Sequence, residues 1–158
     1  MILSKILKNT FLVLIFGLVV TACATAKKTG NIDGDVYTGT DTVEYLAKGV
    51  PDRVFFATNA SKLTTASRDT LRKQATWMRK NKDVTVTVEG HADERGTREY
   101  NLALGERRAN AAKDYLMTYG VSGKRISVIS YGKERPVNPA SSPLAWSQNR
   151  RSVTVKAN

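Results

Sequence analysis

The chain has one cysteine, one histidine and four prolines in 158 residues. A single cysteine excludes an intrachain disulfide, so no covalent framework holds the fold. A single histidine with no second thiol leaves too few ligands for zinc, which usually takes about three or four from the protein. No metal and no cofactor are therefore expected. Acidic residues are also scarce, 14 against 25 Lys and Arg, for a formal charge of +11. No repeat of fixed period is present. No nucleophile elbow occurs either, since Gly120-Val121-Ser122-Gly123 has the wrong spacing for Gly-x-Ser-x-Gly. The uninterrupted apolar run from Phe11 to Val20 falls well short of the ~20 residues that a membrane-crossing helix needs.

That short run has another reading. Lys5 and Lys8 precede it and the small residues Thr21, Ala22 and Cys23 end it, the layout of a secretory signal over residues 1–22. Val20-Thr21-Ala22-Cys23 resembles a bacterial lipobox, whose cysteine receives a diacylglycerol and becomes the first residue of the mature chain. Lipidation of Cys23 would also remove the liability of a lone thiol in an oxidising compartment. Acylation at three points exceeds what stable membrane attachment requires. Ala24, in place of an acidic residue, resembles lipoproteins sent on to the outer membrane. Residues 23–48 then read as the lipidated cysteine and a flexible tether, rich in Thr, Gly, Asp and Ala and almost without apolar periodicity. Fully extended, such a stretch of ~25 residues reaches about 80 Å.

Loss of Lys5 and Lys8 with the signal lowers the formal charge to +9. Strong basicity invites a nucleic-acid reading, but export argues against it, and no helix-turn-helix, zinc-finger or RNP pattern is present. No nucleic acid is expected as a partner. An anionic polymer outside the cytoplasm fits better.

Residues 49–158 read as one α+β domain. An apolar run at 54–56 predicts a first strand, and Leu71, Ala75 and Met78 at helical spacing predict a helix over 65–80. Strict alternation of β-branched residues predicts a strand over 84–89. After a polar loop to Gly96, a second helix is predicted over 98–119, stopped by Gly120. Strands at 126–130 and 152–155, with a short helix near 144–149 between them, complete a β-α-β-α-β-(loop)-β order. Two main helices on one face of a four-stranded mixed sheet would bury a sufficient core.

The densest chemistry lies in "GHADERGTREYNLALGERRA", residues 90–109. Plotted at about 100° per residue, the second helix carries Leu104, Ala111, Ala112, Tyr115, Leu116 and Tyr119 on one broad arc. Asn101 and Arg108 fall near the middle of that arc, while Arg107 faces the opposite way. An inward-pointing arginine keeps its proton and needs compensation. Asp93, in the loop feeding the helix, is the natural candidate. Two arrangements satisfy this: Asp93 and Arg108 pair with each other, or both line a pocket in which the guanidinium takes a carboxylate and Asp93 an ammonium. In the second case the ligand is a zwitterion. An enzyme would have to draw on His91, Asp93, Glu94 or Glu89 as acid or base, and the paired acids make a lipid-anchored cell-wall hydrolase the alternative. His91, beside Gly90, reads as a loop-stabilising residue rather than a proton shuttle.

The stretches Val88 to Thr97, Tyr100-Asn101, Leu104 to Ala109, Ser130 to Glu134 and Asn149-Arg150-Arg151 closely resemble the OmpA-like domain family. The resemblance covers essentially the mature chain. It implies non-catalytic binding of peptidoglycan through the zwitterionic end of meso-diaminopimelate, gripped by Asp93 and Arg108. It further implies pocket contacts from Phe56, Ala57 and Asn59, with Asn101 and Arg151 beside them. By the same resemblance the protein tethers the outer membrane to the cell wall from its periplasmic side and partners the propeller protein TolB. If Cys23 carries the anchor, Cys23→Ser moves the protein from the membrane pellet to the soluble fraction; retention of that variant in the pellet would refute lipid anchoring.

Overall fold

The computed structural model describes residues 32–157. The expected signal segment, Cys23 and residues 24–31 lie outside the described residues. Eight strands and three α-helices follow in the order β1 (Ile32–Asp33), β2 (Val36–Tyr37), β3 (Tyr45–Ala47), β4 (Val50–Pro51), β5 (Arg53–Phe55), α1 (Thr65–Lys80), β6 (Val86–His91), α2 (Arg98–Thr118), β7 (Ile126–Gly132), α3 (Pro143–Asn149) and β8 (Arg151–Lys156).

Local chemistry sets the helix limits. Thr64 caps α1 by accepting from the Ser67 amide at 3.1 Å, and Arg79 and Lys80 occupy its last turn, where cations suit the helix dipole. Thr97 caps α2 in the same way, with Glu99 in the first turn. Gly120, at φ +82°, carries the chain out of α2 in a left-handed conformation that a side chain would disfavour. Ser142 caps α3, and Pro143 opens it where no amide hydrogen is needed.

The main sheet has the order β5-β8-β6-β7. Its β5–β8 and β8–β6 pairs are antiparallel, and β6–β7 is parallel with α2 as the crossover. Val54, Val86, Val88 and Ile126 of the sheet meet Leu71, Ala75 and Met78 of α1 and Ala109, Ala112 and Leu116 of α2 in one core. Trp77 packs against its edge. The α+β architecture and all six predicted main elements are thus present, with ends shifted by a residue or two.

Residues 32–48, expected as tether, are instead folded. β1–β2 and β3–β4 are antiparallel hairpins, Tyr37 stacks edge-on against Phe55 at 4.7 Å, and Leu46 enters the main core. Strands of two or three residues are too short to show alternation. Only the turn dipeptides Asp33-Gly34 and Lys48-Gly49 advertised them. Among the described residues no helix is long and apolar enough to cross a membrane.

Where α2 crosses β6 the two backbones touch. A Cβ on Gly90 would lie 1.8 Å from the Gly105 carbonyl oxygen, and one on Gly105 would lie 2.3 Å from Ser130 Oγ. Gly90→Ala must push helix from sheet and should destabilise the domain by about 3 kcal/mol in urea unfolding, whereas Asp114→Ala on the exposed side of α2 should stay within about 0.5 kcal/mol.

Candidate functional site

A cleft of about 410 Å³ opens between the segment after β5, the loop after β6 and the first half of α2. Thr58 and Asn59 form one wall, Asp93, Arg95 and Gly96 the second, and Tyr100, Asn101, Leu104 and Arg108 the third. Asn59 sits at φ +56°, a conformation that asparagine tolerates better than most residues, and its side-chain oxygen accepts from the Tyr100 hydroxyl.

Arg108 is fully buried, at 0 % exposure. Its Nε donates to the Ala60 carbonyl at 2.8 Å, Nη1 to the His91 carbonyl at 2.8 Å and Nη2 to the Ala57 carbonyl at 3.0 Å. The guanidinium also lies over the Phe56 ring, 5.4 Å from its centroid. Burial, followed by repulsion from Arg150, pushes Arg108 down to about 10, so it remains charged at neutral pH. Three of the five N–H donors of a guanidinium are thereby used, and all three end on neutral carbonyls.

Asp93 and Arg108 do not pair with each other. Asp93 Oδ1 accepts from the Arg95 amide at 3.1 Å and from Arg95 Nε at 3.0 Å, while Oδ2 accepts from Arg95 Nη2 at 2.7 Å and Arg150 Nη1 at 3.3 Å. Burial alone would raise the carboxyl, but the Arg95 hydrogen bonds and Arg150 outweigh it and hold Asp93 below the usual carboxylate range. Both poles of the cleft are therefore ionised. Arg150 in turn donates through Nε to the Phe56 carbonyl at 3.1 Å and through Nη2 to Asp35 Oδ1 at 2.8 Å. Asp35, from the β1–β2 turn, also accepts from the Thr58 amide and, at 3.0 Å, from the Thr58 hydroxyl.

The remaining expected residues are distributed unevenly. Phe56 is buried beneath Arg108 and Ala57 supplies a carbonyl, so both support the cleft from behind without lining it. Asn101 lines it and fixes the loop by donating to the Arg95 carbonyl at 2.8 Å. Arg151 is not at this cleft. Strand parity turns it to the opposite face of the sheet, into a second cleft with Arg53, Glu89 and His91, where burial and then repulsion from Arg53 push it down to about 10. Its neighbour Arg150, one step earlier, is the arginine that reaches Asp93. Sequence reasoning missed Arg150, Arg95 and Asp35. The adjacent Arg150-Arg151 pair was the available signal, since period two sends only one of them to each face.

Trp146 borders the same region. Its Nε1 donates to Glu94 at 2.8 Å, and the Arg95 guanidinium lies 4.4 Å from its ring centroid. Among the described residues no group of three His, Cys, Asp or Glu side chains could hold a metal.

A model of the OmpA family matches residues 55–150. The chain is 45% identical over 147 residues to the peptidoglycan-associated lipoprotein of Brucella melitensis, covering 90% of this chain and 88% of that one. It is 40% identical over 159 residues to the peptidoglycan-associated lipoprotein of Mesorhizobium japonicum, covering 97% and 95%. The crystal structure of the peptidoglycan-associated lipoprotein from Burkholderia pseudomallei superposes with a TM-score of 0.66 at 33% identity, over 67% of this chain and 90% of that one.

His91 serves the cleft only through its carbonyl, because its ring is buried on the back of the sheet at 2 % exposure, with Nε2 3.5 Å from Glu89. Burial, reinforced by Arg151, Arg53 and Arg135, pushes His91 down to about 3. A base depressed on folding binds its proton more readily in the unfolded chain, so it favours unfolding as pH falls from its free value of about 6.5 towards 3. In chemical denaturation between pH 6 and pH 4.5, His91→Gln should remove about 1.4 kcal/mol of that acid sensitivity per pH unit. Parallel slopes for the two proteins would show that the ring titrates alike folded and unfolded.

Proposed function

Because the chain belongs to the OmpA family, we propose that the Asp93–Arg108 cleft is a receptor for peptidoglycan and that the protein is an envelope lipoprotein that binds the wall without cutting it. The peptidoglycan-associated lipoproteins it resembles along most of its length support this reading. The observation that carries it is Arg108: a buried, charged guanidinium with no carboxylate partner among the described residues, across a cleft from an ionised carboxylate. A buried cation held only by carbonyls gains most from an anion delivered to it in fork geometry. The group that satisfies both poles is the free end of meso-diaminopimelate in the stem peptide, which carries an ammonium and a carboxylate on one carbon. A lysine-type stem keeps the ammonium and lacks that carboxylate.

In this proposal the acylated Cys23 anchors the chain in the outer membrane, residues 24–31 form the tether and the folded unit from residue 32 onward works in the periplasm. Such a tether holds membrane to wall and supports envelope integrity and cell division within the Tol-Pal system. TolB would bind a surface overlapping the cleft, so TolB and muropeptide should compete for the chain.

Calorimetric titration tests the receptor directly. The wild-type chain should bind a meso-diaminopimelate muropeptide more than about tenfold tighter than its lysine-type counterpart, and folded Asp93→Asn and Arg108→Lys should each lose about tenfold or more. Equal binding of both muropeptides, unaffected by either substitution, would refute the zwitterion receptor. Release of soluble muropeptides from purified sacculi would support the hydrolase instead.

A further inference from the structure

The carboxylate that the proposed receptor offers to a ligand ammonium already holds cations. Of its two arginine partners, Arg150 belongs to the wall: its side chain is 3 % exposed and its other nitrogens are bound to Phe56 and Asp35. Arg95 is different. Its side chain is 42 % exposed, it lines the cleft itself, and it grips Asp93 side-on, Nε to Oδ1 at 3.0 Å and Nη2 to Oδ2 at 2.7 Å. A ligand ammonium approaching Asp93 from the cleft meets this guanidinium in the position it needs. The same guanidinium lies against the Trp146 ring at 4.4 Å, and Asp35 and Glu94 both attract it. It therefore has aromatic and anionic surroundings to occupy when it leaves Asp93.

We propose that Arg95 is an internal stand-in for the ligand's ammonium, filling the cation end of the cleft until a zwitterion displaces it. This inference rests on the receptor reading above and adds how that receptor is tuned. Binding exchanges one Asp93 ion pair for another while Arg150 stays in place, so the largely buried carboxylate keeps two cationic partners throughout. The exchange also cancels most of the attraction that the ammonium would otherwise contribute. A half-exposed pair is worth at most about 1 kcal/mol, so the displacement is easily reversed and lowers affinity about fivefold. New attraction then comes from the carboxylate on Arg108, where among the described residues no internal carboxylate competes.

The test uses the full chain in detergent micelles and two soluble muropeptides. One carries meso-diaminopimelate; the other carries 2-aminopimelate, which keeps the terminal carboxylate and lacks the ammonium. Arg95→Gln should bind the diaminopimelate muropeptide about fivefold tighter than wild type, with steeper salt dependence and a wider preference over the 2-aminopimelate form. Arg95→Lys, which keeps a charge but loses the fork, should fall between the two. In a Trp77→Phe background, the diaminopimelate muropeptide should change Trp146 fluorescence when Arg95 is present and should change it much less in Arg95→Gln. A folded Arg95→Gln that binds unchanged or more weakly would overturn the inference, and so would tighter binding without the Arg95-dependent Trp146 response, which through-space repulsion of the ammonium would give without displacement. Failure of the receptor reading looks different: diaminopimelate and lysine-type muropeptides would bind the wild type alike, and Asp93→Asn would change nothing.

Discussion

The cleft end of the domain depends on one buried charge. Arg108 reaches from the middle of α2 to carbonyls at Ala57 and Ala60, beyond β5, and at His91, where β6 ends. Two strand ends and a helix are thereby joined by one side chain. The His91 carbonyl sits on the last residue of β6 and the Ala57 and Ala60 carbonyls lie beyond the end of β5, outside the sheet ladder that would otherwise supply donors. An apolar side chain of equal size would fill the space but take its donor away from all three carbonyls, of which Ala57 keeps a longer bond from the Ala60 amide at 3.3 Å, which explains why a cation is tolerated at a fully buried position.

Around Arg108 the charges alternate. Asp35, Arg150, Asp93 and Arg95 form a chain in which each member touches the next with opposite sign. With Arg108 added, two carboxylates face three guanidiniums, and the unmatched positive charge is the buried one. The surplus basicity of the whole chain is thus a poor guide to its site. What matters is that Asp35 and Asp93 are already paired with arginines while the deepest guanidinium is held by carbonyls, at the point where pairing with an anion has the greatest effect.

Much of this was legible in the sequence because it depends on local rules. Thr64, Thr97 and Gly120 mark helix limits through hydrogen bonding and backbone freedom that any neighbourhood would enforce. The inward aim of Arg108 followed from helical period alone. What was not legible depends on contacts between distant segments. Asp35 meets Thr58 and Arg150 across a long sequence separation, and nothing in a polar stretch with two-residue strands announces that partnership. Arg150 and Arg151 are chemically identical neighbours, and only the register Phe55↔Arg151 decides which one faces the cleft. The direct Asp93–Arg108 pair, one of two open arrangements, does not form because Arg95 and Arg150 occupy the carboxylate while carbonyls occupy the guanidinium.

The Gly90–Gly105 contact sets the gauge of the cleft. Asp93 follows β6 and Arg108 lies one helical turn beyond Gly105 in α2, so the spacing between the two poles is referenced to backbone pressed on backbone. A change of side-chain volume elsewhere in the core alters that spacing only as far as it parts these two backbones. The distance between the two charges is therefore gauged by backbone contact more than by the fit of side chains around it.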